Sequence, residues 1–488
     1  MELTDEQFSL IKEQFKTLKE RSPFYAKKFE GIDLSDVQTQ EDFEKLPFSE
    51  KADLREAYPL GLAAVPEEKI VRIHSSSGTT GIPVVIPYTQ KDVDDWATMF
   101  SRCYETVGIT NKDRIHITPG YGLWTAGIGF QLGAEKLGAM AVPLGPGNTE
   151  KQLTMMEDLQ STVLCATSSY ALLLAEAIAE RGIRDKLALR KGVIGSERWS
   201  EKMRHRIETE LGIEIFDIYG LTEIYGPGIG ISCHEHDGMH LWSDYVYAEV
   251  VNPKTGEPVP DGEVGELVLT TLHKEGAPLI RYRTHDLTRI IPGDCACGMK
   301  HPRIDTLVGR TDDMFKVKGV NMFPAQVEEV IAATSGTSSE YQVMIEHIMG
   351  RDVLTVLFET SLEGEALQRC EEELALIFKA KIGCTPDAKG VPIGELPRSE
   401  KKTVTKFYQR RPSHGRRFLW RRLGTLLGAE RCVTSDCGLW AEVACGLQWH
   451  APCEKHLASC GGPHPAPPSW VAAARILQGC SQVVPTCI

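Results

Sequence analysis

The segment HSSSGTTGIPVVIPYT, His74 to Thr89, packs Ser75, Ser76, Ser77, Gly78, Thr79, Thr80 and Gly81 into seven consecutive positions. Hydroxyls and backbone N–H groups at that density can wrap phosphate oxygens, because glycine removes the steric wall of a side chain. This is not the phosphate loop in which Gly-Lys-Ser/Thr opens a helix, since Gly81 leads through Ile82 and Pro83 into the β-rich run Val84 to Tyr88. A second element, DIYGLTE from Asp217 to Glu223, falls where a strand ends in a loop, the place at which α/β sheets bind ligands. There Tyr219 suits stacking on a base and Thr222 suits donation to a phosphate. Glu223 suits Mg2+, which takes one or two carboxylates together with phosphate oxygens. Cys233, Cys295 and Cys297, with one of His234, His236 or His240, offer a Cys3His set of the structural zinc type; His301 is a further candidate, and free cysteines in a turn are the alternative.

These groups need a scaffold. Thr4 and Gln7 form a capping box, and Phe8, Ile11, Phe15 and Leu18 follow at helical spacing, so the chain opens with an amphipathic helix. From Arg114 to Gly220, β-rich runs (Val163 to Cys165, Gly192 to Ile194, Ile213 to Ile218) alternate with helical ones, which predicts a mainly parallel sheet covered by helices. Pro/Gly-punctuated turns after Asn252 lead into a strand at Glu266 to Thr271 and a β-rich subdomain. Beyond Gly309 the pattern changes to a compact α+β unit. The expected organisation is a large α/β domain over 1–309, a small C-terminal α+β domain over 310–412, and a tail over 413–488. That tail holds seven of the 14 cysteines and four of the eight tryptophans without periodicity, and reads as disordered or as translation from a shifted frame.

The formal charge of -13 argues against a nucleic-acid surface. No apolar run reaches the roughly 18 residues of a membrane span, and the first residues are charged rather than signal-like, so the expected location is the cytoplasm, with reduced thiols.

The Ser/Thr/Gly loop, the Tyr-Gly-Leu-Thr-Glu element, YRTHD at 282–286, GRTDDMFKVKG at 309–319 and LPRSEKK at 396–402 occur in the order seen in acyl-adenylate-forming enzymes. Within that superfamily the chain resembles phenylacetate-CoA ligases, through GYGLWTAG at 120–127, DIYGLTEIYGPG at 217–228 and GVNMFPAQVEEV at 319–330. The resemblance spans about Phe8 to Arg411. It implies an ATP-dependent, AMP-forming ligase that makes an aryl acyl-adenylate and passes the acyl group to coenzyme A. Another acid or acceptor, or nucleotide binding without turnover, is the alternative.

Carried over position by position, the phosphate loop falls on Ser75 to Gly81 and the adenine-side strand end on Gly195, Ser196 and Glu197. Asp217, Tyr219, Gly220 and Thr222 belong to the nucleotide site, and Glu223 is the metal-binding glutamate. Asp286 matches the carboxylate that accepts both ribose hydroxyls, which a carboxylate's lone pairs allow. Arg310 is the following basic residue, Asp312 the interdomain hinge, and Lys402 the mobile-domain lysine that serves adenylation. Tyr121, Gly122 and Trp124 are expected along the aryl slot, with Gly226 to Gly228 closing one side. The implied cofactors are ATP, Mg2+ and coenzyme A, with structural zinc a separate expectation, and the implied assembly is a homodimer. Two positions depart from the pattern: Ile82 stands where a lysine is usual, and Lys401 where a glycine usually precedes the catalytic lysine.

Overall fold

The β-rich runs between Arg114 and Leu221 pair as five parallel strands, in the spatial order Glu214–Leu221, Lys191–Gly195, Val163–Thr167, Arg114–Ile117 and Met140–Pro143. The computed structural model that shows this describes residues 2–410, apart from 77–81, 198, 200, 313–314, 318–319, 323, 349–350 and 397–407. Ser77, Gly78, Thr79, Thr80, Gly81, Lys402 and the tail therefore lie outside the described residues. Helices Ala126–Leu137, Thr149–Asp158, Ser168–Arg181 and Glu201–Leu211 supply the crossovers that parallel strands require.

The sheet then continues antiparallel, through Gly226–Ser232, Met239–Leu241, Arg303–Ile304 and Ile290–Ile291, to nine strands. Gly226 and Gly228 have φ of 106° and 98°, and a Cβ at either would stand 2.6 Å from the ring of Trp96 or Phe100. Those glycines let the strand lie directly on helix Gln90–Thr106, so their role in the structure is close packing against that helix.

A four-stranded antiparallel sheet joins Val246–Val251, Gly265–Thr271, Tyr282–Thr288 and Gly309–Arg310. In Tyr282–Thr288 burial alternates strictly, with Tyr282, Thr284, Asp286 and Thr288 buried and Arg283, His285 and Leu287 less so. That period of two puts Asp286 on the inner face. The opening helix, Asp5–Arg21, carries the Thr4–Gln7 capping box and buries Ile11, Phe15 and Leu18.

After Arg310 the chain builds a separate apolar cluster. Strands Asp387–Pro392, Arg351–Thr360, Tyr341–Ile348 and Tyr408–Arg410 form one sheet, and helices Pro324–Ala333 and Gly364–Ile382 contribute Val327, Val330, Leu374 and Phe378 to a core with Val343, Val356 and Phe358. Among the described residues no helix is long and apolar enough to cross a membrane.

One buried group is expected to make the large sheet sensitive to acid. His116 is fully buried, with Nε2 2.6 Å from Gln152 Oε1 and Nδ1 3.3 Å from Ser161 Oγ, and burial pushes its imidazole from 6.5 down to about 4. Between those values the unfolded chain binds the extra proton and the native one does not. The contribution is therefore complete above about pH 6.5 and lost as pH falls through 4. The unfolding midpoint is expected to fall over that window and to fall less steeply in His116→Asn; equal slopes would place the acid sensitivity elsewhere.

Candidate active site

Three parallel strands end on one side of the sheet, and eight of the nominated residues stand at or beyond those ends. Gly195 closes Lys191–Gly195 and Ser196 and Glu197 follow it, Thr222 and Glu223 follow Glu214–Leu221, and Tyr121, Gly122 and Trp124 follow Arg114–Ile117. This is the crevice at which open α/β sheets take ligands. A Cβ on Gly195 would meet Ile218 O at 2.4 Å, and one on Gly220 would meet Gly226 O at 2.0 Å, so both glycines are fixed by backbone approach. Ser196 adopts φ of 69°, turning the chain away from the strand. Glu197 Oε2 accepts from Ser169 N at 3.1 Å and from Ser169 Oγ at 2.7 Å, which seats its charge on the N-terminus of helix Ser168–Arg181. At the base of the expected phosphate loop, Ser75 N donates to Leu123 O at 2.9 Å, and Ser76 Oγ accepts from Val84 N at 3.0 Å.

A chain of polar side chains joins four other nominated residues. Tyr219 Oη donates to Asp286 Oδ2 at 2.7 Å, Arg310 Nη1 to Asp286 Oδ1 at 2.8 Å, and the same guanidinium grips Asp312 with bonds of 2.8 and 2.9 Å. Burial works to raise the Asp312 carboxyl, but Arg310 holds it below the usual range. Asp286 is thus oriented from both sides. Asp217 lies on the same strand as Tyr219, its N–H donating to Ser232 Oγ at 2.9 Å; burial pushes its carboxyl up to about 7.

Glu223 is buried, 5 % exposed, and its Oε1 accepts no hydrogen bond among the described residues. Lys51 Nζ stands 3.2 Å from that oxygen as an ion pair, out of line for a hydrogen bond. Lys51 is the functional candidate that sequence reasoning missed, since 172 positions separate it from Glu223 and no spacing rule connects them. Its placement follows from Ser49, whose N–H donates to Arg281 O at 3.0 Å and whose O accepts from Arg283 N at 2.9 Å. The Ser49 hydroxyl is held by Tyr25 Oη and Ile280 O at 2.9 and 3.0 Å. The segment is thereby clipped to the start of the strand that carries Asp286, and Lys51 opens the next short helix, Lys51–Glu56.

Lys274 supports the same corner. Its ammonium is buried 4.0 Å from the Tyr88 ring centroid and 4.3 Å from that of Tyr225, and it donates to the carbonyl of Ile224, the residue after Glu223. Burial pushes its pKa down to about 7. Cation–π contact stands in for part of the lost water.

Around the expected slot, Trp124 is 45 % exposed while the Tyr121 hydroxyl is buried without a hydrogen-bond partner among the described residues. Gly127 permits this, because a Cβ there would strike the Tyr121 ring at 2.7 Å. Thr222 Oγ1 lies 3.2 Å from Thr125 Oγ1, linking this loop to the Glu223 loop. Of the zinc candidates, the structure gathers Cys233, His240, Cys295 and Cys297 and leaves His234 and His236 outside the group.

Comparison with known proteins identifies the family. Residues 14–273 match the AMP-binding enzyme family and residues 319–411 the AMP-binding enzyme C-terminal domain. The phenylacetate-coenzyme A ligase of Escherichia coli is 43% identical over 416 residues, covering 83% of this chain and 94% of its own. The enzyme of the same name from Thermus thermophilus is 40% identical over 402 residues, covering 78% of this chain and 90% of its own. Among solved structures, 2-hydroxyisobutyryl-CoA ligase in the postadenylation state, at 26% identity, superposes with a TM-score of 0.75 over 82% of this chain and 88% of its own. The same enzyme with its adenylate and CoA in the thioesterification state gives 0.61, at 27% identity, over 83% and 89%. With both family matches in sequence order and near full-length identity above 40%, the chain belongs to the phenylacetate-CoA ligase family of AMP-binding enzymes.

Proposed function

We propose that this protein joins phenylacetate to coenzyme A through a phenylacetyl-adenylate, consuming ATP and releasing pyrophosphate and AMP. The observation that carries the reading is the Glu223 corner: a buried carboxylate whose Oε1 accepts no hydrogen bond among the described residues and faces the Lys51 ammonium, at the carboxyl end of the strand whose Tyr219 orients Asp286. A triphosphate with Mg2+ is the ligand whose charges suit it.

The acid's carboxylate attacks the α-phosphate, and the protein's work is to align the reactants and neutralise charge as it shifts among the phosphate oxygens. Asp286 accepts the ribose hydroxyls, and Ser75 and Ser76 begin the loop that wraps the phosphates. Glu223 would hold Mg2+, since its buried carboxylate oxygen accepts no hydrogen bond among the described residues; bound there, the ion would neutralise phosphate charge. Lys51 supplies, from the N-terminal segment, positive charge of the kind missing at Ile82, whose own side chain is 56 % exposed. The Tyr121 ring and the Trp124 face flank the aryl group. In the second step the coenzyme A thiol, with a pKa near the free-cysteine value of about 8.5, attacks the adenylate carbonyl and AMP leaves.

The test is ATP-dependent pyrophosphate release against phenylacetate, hydroxyphenylacetate, benzoate and acetate, with and without coenzyme A. Release that needs an aryl acid, with thioester formed only when the thiol is present, is expected. Bound ATP without release for any acid would sink the reading. In the same assay Lys51→Met is expected to raise the KM for ATP about tenfold, the cost of one partly exposed phosphate contact of about 1.4 kcal/mol. An unchanged KM would confine Lys51 to pairing with Glu223.

A further inference from the structure

The geometry points to a tetrahedral zinc site at Cys233, His240, Cys295 and Cys297, placed so that the metal locks two loops of the antiparallel extension and takes no part in the chemistry. One candidate donor atom from each residue lies within 4.8 Å of every other. Cys233 Sγ and Cys295 Sγ are 3.7 Å apart, and Cys297 Sγ is 3.4 Å from His240 Nε2. Zinc bonds of about 2.3 Å to sulfur and about 2.0 Å to nitrogen give tetrahedral edges of about 3.8 and 3.5 Å. These two separations already have those lengths, and with every pair within 4.8 Å none has to close by more than about 1.3 Å to complete the polyhedron.

The surroundings are arranged for the same role. His240 Nδ1 donates to His301 O at 3.0 Å, which fixes the tautomer and leaves the Nε2 lone pair aimed at the sulfurs, as a second-sphere partner does for a metal-bound imidazole. Cys233, His240 and Cys295 are buried, and Cys297 is partly so. Four closed protein donors with no open position describe a structural site, since a catalytic zinc keeps one position for water or substrate. Arg303 sits beside them, 4 % exposed, and donates to Asp237 O at 3.1 Å, Gly293 O at 3.2 Å and Asp294 O at 3.4 Å. Its guanidinium, ion-paired with the Asp237 carboxylate, braces the same two loops. The brace spans residues 62 apart in sequence, and it anchors Met239–Leu241, which pairs with the strand returning from the Glu223 corner.

The experiment is zinc content per chain, by mass spectrometry of the metal, for the full-length protein and for Cys295→Ser/Cys297→Ser, both expressed with added zinc and purified without chelator. Seven further cysteines after Pro412 are common to both, so the difference between the two isolates this cluster. A loss of about one equivalent is expected, with a lower unfolding midpoint in the double variant. Should that variant not fold, cobalt(II) substitution of the unmutated protein is expected to give the thiolate charge-transfer and intense d–d bands of a tetrahedral sulfur site, altered in His240→Gln. Equal zinc in both proteins, a cobalt spectrum unchanged by His240→Gln, or Cys233 and Cys295 recovered as a disulfide in folded, metal-free protein would each overturn the assignment.

Discussion

Lys402→Ala is expected to slow ATP-dependent pyrophosphate release by about 10²- to 10³-fold, the scale of losing one preorganised charge or donor at a reacting oxyanion. When the acid attacks, charge moves onto the α-phosphate and the departing pyrophosphate, and a lysine that meets it there acts on the transition state more than on bound ATP. The KM for ATP should accordingly change far less than kcat. The pattern at Ile82 sharpens the expectation, because a site with one fewer lysine in its phosphate loop leans more heavily on the cations that remain. The second half-reaction supplies the control. Phenylacetyl-adenylate given directly, with coenzyme A, should be converted at close to the unmutated rate, since no pyrophosphate leaves in that step. Lys401→Ala separates the two adjacent lysines; if it, and not Lys402→Ala, collapses release, the role belongs one position earlier. If neither substitution matters, the proposed use of this motif fails.

The largest expected effect on stability is at a pair no motif announces. Arg281 and Glu249 are 1 % and 4 % exposed, joined by bonds of 2.9 and 3.2 Å, and Arg281 also donates to Leu46 O at 2.8 Å and to Glu44 O. Its guanidinium lies 4.1 Å from the Phe48 ring centroid. Burial pushes the Glu249 carboxyl up, and Arg281 opposes that shift. Glu249→Ala leaves a guanidinium buried without its countercharge, a change that costs about 3–5 kcal/mol. Replacing both partners, as Arg281→Met/Glu249→Leu, removes both charges and is expected to cost less than the single substitution. Denaturant midpoints for the three proteins test this, and a double variant worse than Glu249→Ala would show that the backbone contacts of Arg281 outweigh its charge. Because the Arg281 carbonyl holds Ser49, Glu249→Ala should also loosen Lys51 and raise the KM for ATP.

How the chain reads at each level follows from the range of the forces involved. Strands Val163–Thr167, Lys191–Gly195 and Glu214–Leu221, and helix Asp5–Arg21 with its capping box, were legible because periodicity and capping act over three or four residues. The family, and with it the C-terminal unit, is legible in five ordered motifs. Cys295 and Cys297 drew attention by their spacing alone. Tertiary structure alone decided which histidine joins them: His240 sits on the strand paired with Arg303–Ile304, while its neighbours at 234 and 236 point elsewhere. It also decided that Lys51 meets Glu223, that Lys274 lies between Tyr88 and Tyr225, and that Arg281 neutralises Glu249. Those contacts join side chains separated by tens to hundreds of positions, and burial, which makes an unpaired charge costly, selects them only after the sheets have closed.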